Sequence, residues 1–320
     1  MYDGCCRPWC VRLCLIAVLL LLGLQACQSA PQARHLQAHL PVVLSSPVLL
    51  ADVGFFPQQA YQCGPAALAT VLDYSQQQVT ADELVSQVYI PERQGSLQIE
   101  MLATARRYNR LPYVLPASLN SMLREVAAGI PVLVMQNLGL PRWPQWHYAV
   151  VVGFDVASAT LTLRSGTRRD YVMPMAVFER TWARAGHWAL VVLQPGQMPV
   201  DDDETNYFQM LADAEQSQDA GLVSAAWRAG VQRWPASYLM ALGLSNHLYG
   251  RGQVQEAADV LVQLLSVDDS SAVVHNNLAW LMLALGQPDQ AIQLGREAVA
   301  RDVVFAQSLA DLHSKISNGK

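Results

Sequence analysis

Cys63 is the residue of this chain best placed for covalent chemistry, and its neighbours in sequence say why. It follows Gln58-Gln59-Ala60-Tyr61-Gln62 and precedes Gly64-Pro65-Ala66-Ala67-Leu68. Gly64 permits a sharp turn, and Pro65 suits the first position of a helix, where its missing N–H costs nothing. Ala66 to Leu72 is almost wholly apolar, which predicts a buried helix with Cys63 at its N-terminus. The partial positive charge at that end favours thiolate over thiol. A cysteine nucleophile also needs a base within hydrogen-bond reach.

His147 is that base by position. It opens the apolar run Tyr148 to Phe154, so its imidazole stands at a strand end where a groove would lie, with Trp143 and Trp146 placed to wall it. His187 also precedes a strand and is the alternative base. Hairpin geometry selects the third group. A strand over 147–154 turns near 155–159 and returns through 160–165, so the position facing His147 falls in Arg164-Ser165-Gly166. Ser165 can accept a hydrogen bond from the imidazole but has no charge with which to stabilise imidazolium. Asp155 is eight residues along the strand from His147, about 26 Å at ~3.3 Å per residue. It is too far to take part.

These groups must be held by a mixed scaffold. Periodicity predicts helices over 64–74, 80–89, 96–108 and 120–128, followed by strands over 131–135, 147–154, 160–164, 169–173 and 187–193. A helix block followed by a strand block is an α+β pattern, assigned here to a domain over 46–198. The acidic run Asp201-Asp202-Asp203-Glu204 marks a boundary, beyond which the charge balance turns strongly negative. Residues 205–320 read as helical pairs. Gly252-Gln253 recurs as Gly286-Gln287 and Ala257 as Ala291, a period of 34. Segments 236–268 and 271–302 carry the period, 205–235 is a degenerate leading unit, and Val303 to Ile316 is a capping helix.

The composition narrows the function classes. Of 320 residues 52% are apolar and 15% charged, with a net charge of −5. That excludes a disordered chain and offers nucleic acid no attractive field. The six cysteines fall at 5, 6, 10, 14, 27 and 63, which excludes a fold stapled by disulfides. Arg7 and Arg12 precede the apolar run Leu13 to Leu24, shorter than the roughly 20 residues a membrane span needs. Residues 1–26 thus read as a signal peptide and 27–45 as a tether containing His35 and His39. No ligand spacing for a metal falls in a folded segment, and no cofactor is implied.

Three resemblances add to this reading. Leu24-Gln25-Ala26-Cys27 resembles a bacterial lipobox, which implies lipid on Cys27. Gln28 after it, by likeness to Gram-negative lipoproteins, implies an outer-membrane protein facing the periplasm. The 34-residue period resembles the tetratricopeptide repeat, which implies a solenoid that binds a protein partner or substrate. Gln-x4-Cys-Gly-Pro-Ala-Ala-Leu with the later His-Tyr-Ala-Val-Val-Val-Gly-Phe-Asp resembles the papain-like cysteine peptidase domain of bacteriocin exporters, over roughly 50–195. Those domains cut leader peptides after a double glycine. The resemblance implies peptide hydrolysis through a Cys63 thioester, with Gln58, or Gln59 in its place, and the backbone N–H of Cys63 donating to the oxyanion. Relatives place the Asp of an Asp-Pro pair after the histidine strand, where this chain has Ser165-Gly166. That departure leaves a second expectation open, a catalytically degenerate, peptidase-like docking lipoprotein.

Overall fold

The computed structural model of the protein describes residues 30–58 and 62–318. The signal segment 1–26, Cys27 and Gln59 lie outside the described residues. Helix α1 (Pro31–Ala38) and strand β1 (Val48–Leu49) precede the cysteine helix α2 (Cys63–Tyr74). Helix α3 (Ala81–Val88), the short pair β2 (Tyr89–Ile90) and β3 (Gly95–Ser96), and helix α4 (Gln98–Arg107) follow. Then come β4 (Leu111–Val114), α5 (Leu119–Ala127), β5 (Val132–Asn137), β6 (Trp146–Asp155), β7 (Thr160–Ser165), β8 (Arg168–Pro174), α6 (Met175–Ala183) and β9 (Ala189–Leu193).

The strands form one seven-stranded antiparallel sheet in the order β4-β9-β5-β6-β7-β8, with β1 on β6. Strand alternation divides its apolar residues between two cores. Leu133, Tyr148, Val150 and Val152 face Cys63 and the rest of α2, together with α3 and α4. Val132, Val134, Ala149 and Val151 face the opposite core, built with α1, α5 and α6. Local chemistry sets the helix starts. Thr80 and Glu83 form a capping box on α3, and Ser118 Oγ accepts the N–H of Ser121 at the head of α5.

The observed helices and the longer strands follow the periodicity closely. The short strands β1, β2 and β3, strand β4 and helix α6 are additions to it; α6 follows β8 at once, and its mixed β-branched and aromatic residues mask a helical period. The tether requires correction. From Ala30 onward it is packed against the domain: Ala30, Ala33, Leu36 and Leu44 are buried. The N–H groups of Gln32 and Ala33, orphan donors of the first turn of α1, donate to the carboxylate of Glu179 at 3.0 and 2.7 Å. So few apolar residues look like a linker until a carboxylate far along the chain closes the helix start.

Beyond residue 200 the fold is all helical: α7 (Glu204–Ala214) with α8 (Ala220–Arg233), α9 (Tyr238–Gly250) with α10 (Val254–Leu265), α11 (Ala272–Ala284) with α12 (Pro288–Arg301), and the final α13 (Ala306–Asn318). Gly252 and Gly286 take left-handed φ of 76° and 73° in the repeated turns. Ala257 and Ala291 are fully buried where the helices cross.

The boundary near residue 200 is a change of architecture without a break in the core. Leu111 and Tyr113 of β4 share one apolar cluster with Tyr207, Met210 and Leu211 of α7. Tyr113 donates to Asp201 at 2.6 Å, Asp201 N–H donates to Glu125 at 2.9 Å, and Asn206 Nδ2 donates to the Val114 carbonyl at 2.7 Å. Uncovering side chains of this size costs roughly 1.5–3 kcal/mol each, against a typical domain stability of about 5–15 kcal/mol. A chain ending at residue 198 is therefore expected in the insoluble fraction. One ending after α8 should remain soluble and melt cooperatively by circular dichroism.

Candidate active site

Helix α2 holds Cys63 at its first residue, buried to 9% exposure. Gly64 is required there by close approach: a Cβ would sit 2.6 Å from Ser96 Cβ. Across the sheet end, His147 Nε2 is hydrogen-bonded to Ser165 Oγ at 2.8 Å. The ladder pairs Val150 with Arg164, which brings the end of β7 beside the start of β6. Ser165, Gln58, Tyr148 and Arg164 line one cleft with Cys63. The N–H of Gln58 donates to the Gly166 carbonyl at 3.1 Å, hooking the segment before the cysteine onto the end of β7.

Ser165 Oγ occupies Nε2, and in the tautomer that donates Nε2–H to it, Nδ1 is the nitrogen left to take the thiol proton. Among the described residues no hydrogen bond joins Cys63 to His147. Burial governs both groups. It pushes the Cys63 thiol up, against the backbone N–H groups of Tyr148, Gly64 and Cys63 itself, which pull it down. Burial also depresses His147 to about 4. Burial thus opposes the thiolate that the helix terminus favours, and it favours neutral thiol and neutral imidazole.

The remaining candidates separate from the cleft. His187, at a left-handed φ of 56°, packs edge-on against Trp182 at 4.7 Å. It does not line the cleft. Asp155 accepts the N–H groups of Ala157 and Ser158 at 2.9 and 3.2 Å in the turn at the far end of β6. Trp143 and Trp146, expected as groove walls, are instead exposed on the loop that leads into His147.

Arg164 was missed. Its side chain is almost fully buried, donates to the Val53 carbonyl from Nε at 3.2 Å and from Nη2 at 3.1 Å, and pairs with Asp170. It ties β7 to the segment that carries Gln58. The signal was present: a charged residue between the apolar Leu163 and the candidate Ser165, with Asp170 across the next turn.

The neutral resting pair has a direct consequence. Alkylation of Cys63 by iodoacetamide should keep rising as pH passes 9, with no plateau at neutral pH. Ser165→Asp places a carboxylate on Nε2. A charged hydrogen bond contributes about 1.5–3 kcal/mol against about 0.5–1.5 for a neutral one. The imidazolium gains roughly 1.4 kcal/mol, so neutral-pH alkylation should increase about tenfold. A wild-type plateau below pH 8 would show a preformed ion pair.

Comparison with known proteins agrees with this layout. Residues 50–190 match the Peptidase_C39 like family and residues 248–316 match the tetratricopeptide repeat. The fold is similar to a double glycine motif protease from an AMS/PCAT transporter in complex with its leader peptide, at 22% identity over 44% of this chain and 91% of that one, TM-score 0.34. It is also similar to the peptidase domain of Streptococcus ComA, at 18% identity over 44% and 98% of the two chains, TM-score 0.36. The helical part is similar to the Sgt2 tetratricopeptide domain of Aspergillus fumigatus, at 11% identity over 37% and 82%, TM-score 0.34. No curated protein matches the chain in sequence. The cysteine helix, the histidine strand and the 34-residue helical pairs are thus parts of two units in one chain: a Peptidase_C39-like α+β domain followed by tetratricopeptide repeats.

Proposed function

We propose that this chain is a cysteine peptidase, held on a membrane by lipid on Cys27, that hydrolyses peptide bonds through a thioester at Cys63. The observation that carries the reading is the imidazole of His147 fixed on Ser165, which lines the same cleft as Cys63 and Gln58. In the reaction the sulfur attacks the peptide carbonyl while its proton passes to His147 Nδ1. The Cys63 N–H and the Gln58 amide receive the oxyanion. Collapse expels the amine, which takes the proton from His147. Water, deprotonated by the same nitrogen, then releases the acid and restores the thiol. The anchored protein faces the periplasm from the outer membrane, and its repeats recruit a protein substrate or partner. A groove lined by Asn246, Tyr249, Asn277, Trp280 and Lys315 on α9, α11 and α13 offers both apolar and polar contacts for this.

A second reading, a docking lipoprotein with an idle peptidase fold, draws on one observation. The orienting group is a neutral serine, and the dyad rests uncharged. Two measurements separate the readings. A candidate peptide should yield an acyl-enzyme on Cys63 visible by intact-protein mass spectrometry. His147→Ala should slow turnover by about 10²–10⁴, the usual contribution of a general base. Absence of any acyl-enzyme, with normal physiology of Cys63→Ala cells, selects the docking reading. Separately, Cys27→Ala should abolish globomycin-sensitive processing and move the protein out of the membrane fraction.

A further inference from the structure

The segment 138–146, the loop between β5 and β6 together with Trp146 at the start of β6, ends beside His147. It exposes Leu138, Leu140, Trp143 and Trp146, the two indoles at 71% and 54%. An apolar cluster of this kind on a surface marks a contact. The loop is braced rather than slack. Asn137 Oδ1 accepts the N–H groups of Gly139 and Gln145, each at 2.9 Å. Leu138 N–H donates to the Gln145 carbonyl at 2.9 Å, and Arg184 holds the Asn137 carbonyl at 2.9 Å. A Cβ on Gly139 would overlap the Trp143 carbonyl, so the loop closes tightly on itself. The rings are held outward, and neither lines the Cys63 cleft. Arg142 is the one charged residue from 138 to 146.

The same end of the sheet receives the start of the folded chain. Leu115 N–H donates to Ala189 O at 3.0 Å, and Ala189 pairs with Val134 near the end of β5. Just beyond, Gln32 of α1 donates to the Ala117 carbonyl at 3.2 Å and accepts the Leu119 N–H at 2.6 Å. Ala30, one residue before α1, is buried. Only Gln28 and Ser29 lie between it and Cys27. The three Cα–Cα steps, fully extended, reach only about 11 Å.

We propose that segment 138–146 is a membrane-interface contact that seats this end of the sheet on the bilayer. The proposal rests on lipid at Cys27. With so short a leash, the loop's end of the domain stays at the lipid surface. Indoles favour the headgroup region, where an amphipathic ring satisfies both sides. Arg142 faces anionic phosphate with no acidic neighbour in the loop to oppose it. The cleft of Cys63 then opens at the membrane, and the substrates within its reach are membrane-bound polypeptides.

The test uses the lipidated full chain with Cys63→Ala, carrying an environment-sensitive fluorophore on Leu140→Cys or, as control, on Ser270→Cys in the exposed turn before α11. Vesicles of phosphatidylethanolamine and phosphatidylglycerol include a nitroxide lipid. Both proteins should float with the vesicles, and the nitroxide should remove most of the emission at 140 while leaving that at 270. Adding Trp143→Glu and Trp146→Glu should restore the emission without loss of flotation. Unquenched emission at 140 on floated protein overturns the proposal while the anchor stands. Shielding at 140 only after an apolar peptide is added makes the loop a substrate contact and also overturns it. Protein that does not float overturns anchor and seating together.

Discussion

The burial of the Cys63 end of α2 against the sheet is the constraint on which the site depends. Gly64 packs so closely on Ser96 that no side chain fits between them. The thiol is thereby brought within reach of the backbone N–H groups of Tyr148, Gly64 and Cys63. The same burial removes water from His147. One packing decision therefore sets both position and protonation. It supplies N–H donors for developing negative charge and withholds the solvation that a resting ion pair would need.

Within that constraint Ser165 is intelligible. A carboxylate at its place would stand half-buried at the end of β7, beside the Arg164–Asp170 pair that braces the Gln58 segment. A hydroxyl fixes the ring without adding a charge there. The arrangement holds His147 in position with no carboxylate on the ring to favour a standing imidazolium.

Much of this was legible in the sequence because it is local. The Gly-Pro helix start, the two-residue alternation of β6 and the hairpin through 155–159 are short-range patterns, and together they point to Cys63, His147 and Ser165. What the sequence hid is long-range. Helix α1 looks like linker because the Glu179 carboxylate that closes its start is 147 residues from Gln32. Arg164 looks like a surface charge because Val53, its backbone acceptor, is 111 residues away. The thiol's desolvation is hidden for the same reason: the helix terminus is visible in sequence, but the depth of its burial is set by strands far along the chain.

The sheet also spaces the repeats from His147. The repeats join at β4, and His147 lies on β6, with β9 and β5 between them. Three strand spacings amount to about 14 Å at ~4.8 Å each. An extended polypeptide would span that distance with about five residues, at ~3.3 Å apiece. The continuous core from Tyr113 to Tyr207 keeps that span constant, where a flexible linker would let it vary.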